Sequence, residues 1–570
     1  MASTDFTKII IKDDRIANLT DSINYAIIKG GQNITSASYT AQSATNSSHT
    51  YSVQVPSETT IISREVLWSS TITFKITGTP ANTEYLVNYG STEAFAPFFL
   101  NQMVETMSST INNNTVSMNV KDIIAPLLRV HDNRELNRFN GLTPTMIDTY
   151  KNYADATSAR NNPLGNYTNT GDNDLLPRGS FDVESITGNS VSTDGTSLKT
   201  VYITVKVSEP LLSSPWLFAN PQSNNQGMYG IQNIAFQFNL DETCKRVFRT
   251  SRTALSDLAV SVESWQDSKL ILTYISPHPS DLLPSRNCCP YYNLERFVYN
   301  QYPELVYAQT QSLQSPTLQL NSIPDRIFVV ARKRMTQQSY ADTDSFYSIK
   351  GVSINFNNSS GLCSSYTQQD LFKMSVKNGI NSTWQEWSGY ARGGLTAGAP
   401  TRIPLAGSVL CLEFGTDIQL SEDYLSAGSL GSYQLSLKLD ILNQNTSAGT
   451  GNINNQIPEL VIITQTSGVM VNEKGTCSTF LGLLTKSDVL EASTQKSYSK
   501  SRVSRLVGGG FLDKLKSVAG KVIESAPQIA ELVAPLAKDK LNSMGTAGQL
   551  ASKGIGALGY GKSALQNRIN

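Results

Sequence analysis

For most of its length the chain reads as short segments in which apolar and polar residues alternate. Ile72, Phe74 and Ile76 are interleaved with Thr71, Thr73 and Lys75. Val201, Ile203, Val205 and Val207 repeat the pattern, and so do Ile234, Phe236, Phe238 and Leu240. A period of two sends one set of side chains to a core and the other to solvent, which predicts antiparallel strands. A second series follows the proline-rich stretch Ser276-Pro277-His278-Pro279 to Leu283-Pro284. It comprises Ile327-Phe328-Val329-Val330, Val352-Ser353-Ile354-Asn355-Phe356 and Val409-Leu410-Cys411-Leu412, then the alternating Tyr433, Leu435, Leu437, Leu439 and Ile441. Leu460-Val461-Ile462-Ile463 closes it as a short, wholly apolar strand. Short strands broken by turns predict sandwiches or barrels, and two series predict two of them side by side.

Helix signals are few. Thr143-Pro144 reads as an N-cap with proline at the first helical position, leading Met146, Ile147 and Tyr150 along one face. Thr367 with Asp370 reads as a capping box opening a helix that Asn378-Gly379 closes. Near residue 505 the character of the chain changes. After Leu506-Val507-Gly508-Gly509-Gly510, the residues Phe511, Leu515, Val518 and Val522 recur at helical spacing with Lys514 and Lys521 on the other side. Pro527 ends or kinks that helix, and Ile529, Leu532, Val533 and Leu536 resume the pattern. The expected organisation is an extended arm over 1–50, β domains over 51–285 and 286–490, and a helical tail over 491–570.

Composition refines this picture. At 570 residues the chain exceeds what one core supports. Only 16% of residues are charged, while 39% are apolar, so the polar load is mostly uncharged and the chain is globular. The formal net charge is zero, yet residues 491–570 hold twelve Lys/Arg against five Asp/Glu, leaving minus seven on the first 490. A basic tail on an acidic body suits an anionic membrane surface or nucleic acid, and equally a solvated helix face. Cys244, Cys363, Cys411 and Cys477 stand alone, and neighbouring Cys288-Cys289 are poorly placed to bridge each other, so free thiols and an intracellular folding site are expected. The N-terminus lacks the basic-then-apolar order of a secretory signal, and no run of 18 apolar residues occurs.

Catalytic and metal signatures are missing, so neither enzyme activity nor a cofactor or metal is expected. His49, His131 and His278 lie far apart in turn-like sequence, where a satisfied or exposed loop histidine is the plain reading. The chain has no His-Glu-x-x-His, paired Cys-x-x-Cys or Gly-x-Ser-x-Gly. Asp342, Asp344 and Glu386 are read as carboxylates of solvated loops.

Several stretches carry a family likeness. They are Ser208-Glu209-Pro210-Leu211-Leu212-Ser213-Ser214-Pro215 with Gly227-Met228-Tyr229-Gly230-Ile231, and Ile323-Pro324-Asp325 ahead of a strand. Ser353-Ile354-Asn355-Phe356-Asn357-Asn358 runs through the capped helix to Trp384-Gln385-Glu386-Trp387. Leu412-Glu413-Phe414-Gly415 and Ala427-Gly428-Ser429-Leu430-Gly431-Ser432-Tyr433 follow, and the arm adds Val55-Pro56-Ser57. In this order, over most of residues 30–475, they resemble the double jelly-roll major capsid proteins of virophages, polinton-like viruses and adintoviruses, relatives of adenovirus hexons. The resemblance implies an all-β chain of two consecutive eight-stranded jelly rolls with short inserted helices and the helical C-terminal tail. It implies a virion component, assembled inside the host cell as a homotrimeric, pseudo-hexameric capsomer of an icosahedral shell. Neighbouring capsomers and penton or minor capsid proteins are its partners. Pro324, Asn357, Asn358 and Trp387 are then architectural: a proline before a strand, asparagines in a turn, and an aromatic packed at a domain junction.

Leu506, Gly508, Gly509 and Gly510 also resemble the Leu-x-Gly-Gly-x sites of adenovirus-type maturation proteases, whose narrow groove suits glycine. Cleavage after Gly509 would free residues 510–570, whose Phe511, Leu515, Val518 and Val522 face would contact a membrane, the genome or the inner side of the shell. The rival reading is a carbohydrate-binding β-sandwich, a lectin or adhesin, with Trp384 and Trp387 in a sugar site. It gives no account of the tail. A cupin-like enzyme would require clustered histidines.

Overall fold

A computed structural model describes residues 34–90, 92–153, 183–216, 227–251, 257–276, 286–393, 401–420, 425–445 and 455–481. These residues form twenty-five strands and five α-helices, numbered here along the chain. One sheet of the first half runs β1 (Ile34–Thr40), β13 (Ala259–Ile275), β5 (Leu67–Gly78), β10 (Lys199–Pro210), β9 (Val183–Thr187), with β4 (Ile61–Ile62) beside β13. The facing sheet runs β2 (Ser43–Ala44), β3 (Ser48–Gln54), β11 (Asn233–Leu240), β7 (Val104–Ile111), β8 (Asn114–Met118). In the second half one sheet runs β14 (Asn287–Tyr299), β24 (Pro458–Glu473), β17 (Arg326–Lys333), β22 (Leu410–Glu413), and β25 (Thr476–Leu481) joins β24. Its facing sheet runs β15 (Thr310–Gln314), β23 (Leu430–Leu442), β18 (Ser348–Phe356), β19 (Ser359–Leu362), and β16 (Leu318–Ser322) also pairs with β23. The pairs β6 (Glu93–Phe95) with β12 (Phe248–Thr250), and β20 (Tyr390–Gly393) with β21 (Thr401–Pro404), stand apart.

Both halves have one topology. Setting aside the short accessory strands, and counting β15 and β16 as one interrupted strand, each half has eight principal strands. In both, the first, eighth, third and sixth make one sheet and the second, seventh, fourth and fifth the other. All pairings are antiparallel, and this order is that of the jelly roll, two Greek keys folded face to face. The alternation read from sequence is what packs the sandwiches. In β5, Ile72, Phe74 and Ile76 are fully buried while Thr71, Thr73 and Lys75 are half-buried. In β23, Tyr433, Leu435, Leu437, Leu439 and Ile441 point inward.

Leu460 to Ile463 of β24 read as wholly apolar because that stretch is covered on both faces. One side faces its own sandwich. On the other, Ile463, with Leu294 and Phe328 of neighbouring strands, meets Ile123, Pro126 and Leu127 of α2 (Val120–Leu128), a helix inserted in the first half. One apolar cluster therefore runs through both halves.

Two expectations are corrected. The described part of the expected arm, residues 34–50, carries strands β1 and β2 and the start of β3: β1 pairs along β13, and β3 along β11, because its alternating residues complete both sheets. Residues 144–149 form no helix. The Thr143 hydroxyl, read as an N-cap, instead donates to Glu209 Oε1 (2.7 Å), and Tyr150 bridges to Leu405. The capped helix at Thr367 stands as read: α4 (Gln368–Lys377) has a reciprocal capping box with Asp370, and Gly379 follows at φ 104°.

Candidate functional site

The chemistry of this chain is concentrated where the two sandwiches meet. The segment after α2 crosses onto the second sandwich and is stitched there through its backbone. Ala406 N–H donates to Thr149 O (2.9 Å), Lys151 N–H to Pro404 O (3.2 Å) and Tyr153 N–H to Ala341 O (3.2 Å). The Thr343 hydroxyl donates to Lys151 O (2.6 Å), and Asn152 Nδ2 to Asn445 Oδ1 (2.9 Å). An irregular segment has no ladder of its own, so these bonds satisfy groups that burial would otherwise leave unpaired.

Charges then cross the seam in a chain. Asp344, from the second half, accepts from Arg246 (3.2 Å) and Arg249 (3.1 Å) at Oδ1 and from Gln102 (2.7 Å) at Oδ2, all three from the first half. Its backbone N–H donates to Asp148 Oδ2 (2.8 Å), whose Oδ1 accepts from the Tyr153 hydroxyl (2.7 Å). Arg129 donates to Asp148 O (2.6 Å) and lies over the Phe346 ring. Asp122 of α2 is bound by Arg332 and by Arg296 (2.8 Å), and Arg332 also holds Glu459 (2.8 Å). Lys333 pairs with Asp342 (2.9 Å).

These environments move the proton equilibria in opposite directions. Burial and the nearby Asp344 charge push the Asp148 carboxyl up to about 6. Burial works against ionisation of Asp344 too, but Arg246 and Arg249 outweigh it and hold the carboxyl below its usual range. Lys151 is buried with its ammonium on Phe346 O (3.1 Å) and over the Tyr347 ring, and burial lowers it to about 7. Such a network clamps two bodies together; its groups are engaged with one another rather than presented to a substrate.

A second seam lies along the sheets. Buried Arg64 donates to Pro215 O (2.6 and 2.9 Å) in its own half and to Pro290 O (2.9 Å) in the other. Asn287 Oδ1 accepts from Tyr229 N–H (3.2 Å), Asn114 Nδ2 donates to Thr479 (3.0 Å), and Cys477 N–H to Asn113 Oδ1 (2.7 Å).

The residues singled out from sequence fall as follows. Asp342 and Asp344 are buried ion-pair partners, not solvated loop carboxylates, because arginines and a lysine from facing elements converge on them. Glu386 completes the capping box of α5 (Trp384–Ser388) with Thr383. His49 is not in a loop: it is a fully buried residue of β3, edge-on to Trp265 at 4.2 Å between centroids and beside Trp68. His131 is buried against Glu135 (3.1 Å), and His278 lies outside the described residues. Asn357 turns at φ 51° and accepts from Gln434 N–H (2.9 Å). Trp387 is fully buried, donates to Val409 O (2.9 Å) and packs on Phe372, which removes it from any sugar site. The six cysteines are free thiols, five of them buried. Leu506, Gly508, Gly509, Gly510, Phe511, Leu515, Val518 and Val522 lie outside the described residues. Among the described residues no helix is long and apolar enough to cross a membrane, and no three His, Cys, Asp or Glu gather as a metal site.

Sequence reading missed Arg129, Asp148, Lys151, Arg246 and Arg249. The available signal was charge set among apolar neighbours, as in Arg246-Val247-Phe248-Arg249 and Val330-Ala331-Arg332-Lys333.

Comparison with known proteins agrees with this architecture. The family described as the first domain of the Sputnik virophage major capsid protein matches residues 4–275, and the C-terminal domain family of major capsid protein V20 matches residues 296–468. The capsid protein V20 of Sputnik virophage is 25% identical over 531 residues, covering 90% of this chain and 86% of that one. A chain of the Sputnik virophage cryo-EM structure shares the fold with a TM-score of 0.72, at 24% identity over 88% of this chain and 98% of that one. The mavirus major capsid protein crystal structure does so with 0.66, at 16% identity over 82% and 93%. With two jelly rolls in series, each matched by the corresponding domain family, this chain belongs to the double jelly-roll major capsid proteins of virophages.

Proposed function

We propose that three copies of this chain form one pseudo-hexameric capsomer and that capsomers tile an icosahedral shell. The observation that carries this reading is the repetition of one topology in two sandwiches clamped by a buried charged seam. Two similar bodies held at a fixed relation, taken three times around an axis, present six near-equivalent sides, and a seam that did not slip would keep those sides in register. The chain acts here as a virion building block, partnered by itself, by neighbouring capsomers and by penton or minor capsid proteins. Domain limits of 51–285 and 286–490, with 491–570 as a separate tail, go with this reading, adjusted by the strands that begin at Ile34. A maturation protease would cut after Gly509 within Leu506-Val507-Gly508-Gly509-Gly510. The freed segment would then use its Phe511, Leu515, Val518 and Val522 face on a membrane, the genome or the inner shell.

Size-exclusion chromatography with mass detection tests the first claim: a species at three times 62.2 kDa, or closed shells, is expected, and a monodisperse monomer overturns it. Intact mass of the chain from mature particles tests the second. A chain ending at Gly509 is expected, and an uncut 570-residue chain overturns it.

A further inference from the structure

Along the second seam the two halves meet through groups that are polar but uncharged. Asn287 of β14 and Asn472 of β24 stand directly opposite each other in the ladder, and Cys477 of β25 stands opposite Asn472 on its other side. Residues paired in this way point to one face of a sheet, so the three side chains form a row. Residues 227–231 of the first half cover that face. Tyr229 N–H donates to Asn287 Oδ1 (3.2 Å), and a Cβ on Gly230, at φ 77°, would lie 3.2 Å from Asn472 O and 3.5 Å from Asn472 Cβ. All three side chains of the row are buried, that of Asn472 completely.

Within this row the hydrogen bonding does not close on protein atoms. Asn472 Nδ2 and Oδ1 and Asn287 Nδ2 have no partner among the described residues. Exchanging the amide oxygen and nitrogen of Asn472 changes nothing, since neither is bonded. Neighbouring groups are engaged elsewhere. Gly230 N–H donates to Glu58 O (2.8 Å), and its carbonyl accepts from Gly475 N–H (3.1 Å) and Asn112 Nδ2 (3.2 Å). Cys477 N–H donates to Asn113 Oδ1 (2.7 Å), and the Cys289 thiol to Asn287 Oδ1 (3.0 Å). Buried amide groups are almost always hydrogen-bonded, so these three atoms call for a partner that both donates and accepts.

We propose that one water molecule is a resident part of this contact, held between Asn472 and Asn287 beneath Gly230. It accepts from Asn287 Nδ2 and exchanges bonds with the Asn472 amide, whose Oδ1 and Nδ2 lie side by side. That makes about three bonds, the usual complement of a buried water. Directly opposed residues keep their Cβ atoms about 5 Å apart, a span that one such molecule bridges between two amides. Other ligands do not fit. A hard cation takes about six oxygens, and the row offers one. A soft metal takes thiolate, whereas burial pushes the Cys477 thiol up to about 11. An anion meets no charged side chain in the row. Water thus completes the bonding of the second sandwich where a loop of the first lies on it, whatever the number of chains in the capsomer.

The test is a density map of the full chain, alone or in assembled particles, at a resolution that shows ordered water. Wild type is compared with Asn472→Leu, which keeps a similar volume and removes both polar atoms. Wild type is expected to show one peak within hydrogen-bond distance of both amides. Asn472→Leu is expected to lack that peak while residues 227–231 stay in place. Amides bonded directly to each other, with no peak between them, overturn the assignment, and so does a peak that persists in Asn472→Leu. A peak with the short, many-sided contacts of a metal ion overturns it too. Should the leucine variant fail to fold, the wild-type map decides by itself.

Discussion

The interiors of the two sandwiches and the seam between them are both buried, yet they are built from opposite chemistry. Inside, alternating Ile, Phe, Leu and Val are removed from water with little directional demand, and neighbouring side chains of similar volume can replace one another. At the seam, Arg129, Arg246, Arg249, Arg332, Lys333, Asp122, Asp148, Asp342, Asp344 and Glu459 are buried together, each placed by hydrogen bonds. The difference teaches what each region is for. An apolar core makes a stable body and tolerates sliding at its surface. A network of desolvated charges adds little net stability over an apolar contact, but any displacement separates ions that have no water to replace the partner. For a subunit whose two halves must present sides at a fixed angle, that intolerance is useful.

Removing one side chain from each region gives the sharpest contrast. Asp344→Ala leaves Arg246 and Arg249 unpaired in a dry site and is expected to cost ~3–5 kcal/mol. Leu437→Ala within the second core is expected to cost a similar ~2–5 kcal/mol. Denaturant melts followed together with limited proteolysis separate the two. Asp344→Ala should open cleavage between the sandwiches while each body still protects itself, whereas Leu437→Ala should unfold the second body. A single cooperative loss in both variants would erase the distinction between seam and core.

Acidity probes a polar group placed inside a core rather than at the seam. His49 sits among Tyr51, Trp68, Trp265 and Phe238, where burial lowers its imidazole to about 4 against an ordinary 6.5. A depressed folded-state value means that its contribution is fully present above pH 6.5 and is lost as pH falls through about 4. The loss amounts to up to ~3 kcal/mol at one pH unit per 1.36 kcal/mol. Melting temperatures from pH 7 to pH 4 should therefore fall less steeply for His49→Gln than for wild type, and parallel curves would remove His49 from the account. The seam carboxylates respond otherwise. Asp148, raised to about 6, contributes most below its ordinary 3.8 and loses that contribution as pH rises through 6, while the depressed Asp344 does the reverse.

The smallest effect belongs to the surface. Thr367→Ala removes the capping box of α4 and is expected to cost ~1 kcal/mol, read as a shift in the denaturant midpoint with an unchanged slope. A shift as large as that of Asp344→Ala would mean that α4 is part of the clamp.

Legibility followed the range of the interactions. Strands whose neighbours alternate, such as β5, β10, β11 and β23, were readable because a period of two is a local property. The capping box at Thr367 was readable for the same reason, since its partners are three residues apart. The cap expected at Thr143 failed because Glu209, far along the chain, takes its hydroxyl. His49 and Asp344 looked like loop residues because what buries them arrives from other strands and from the other half.

Two alternating β series and the capping box at Thr367 were written in the amino-acid sequence alone, which also carried the capsid likeness word by word. Which sheet each strand joins, that the strands over 34–50 belong to the first body, and that scattered charges form one seam were settled only by the tertiary structure. The physical reason is that hydrophobic alternation is written residue by residue, whereas a buried ion pair exists only when two distant segments arrive together and exclude water.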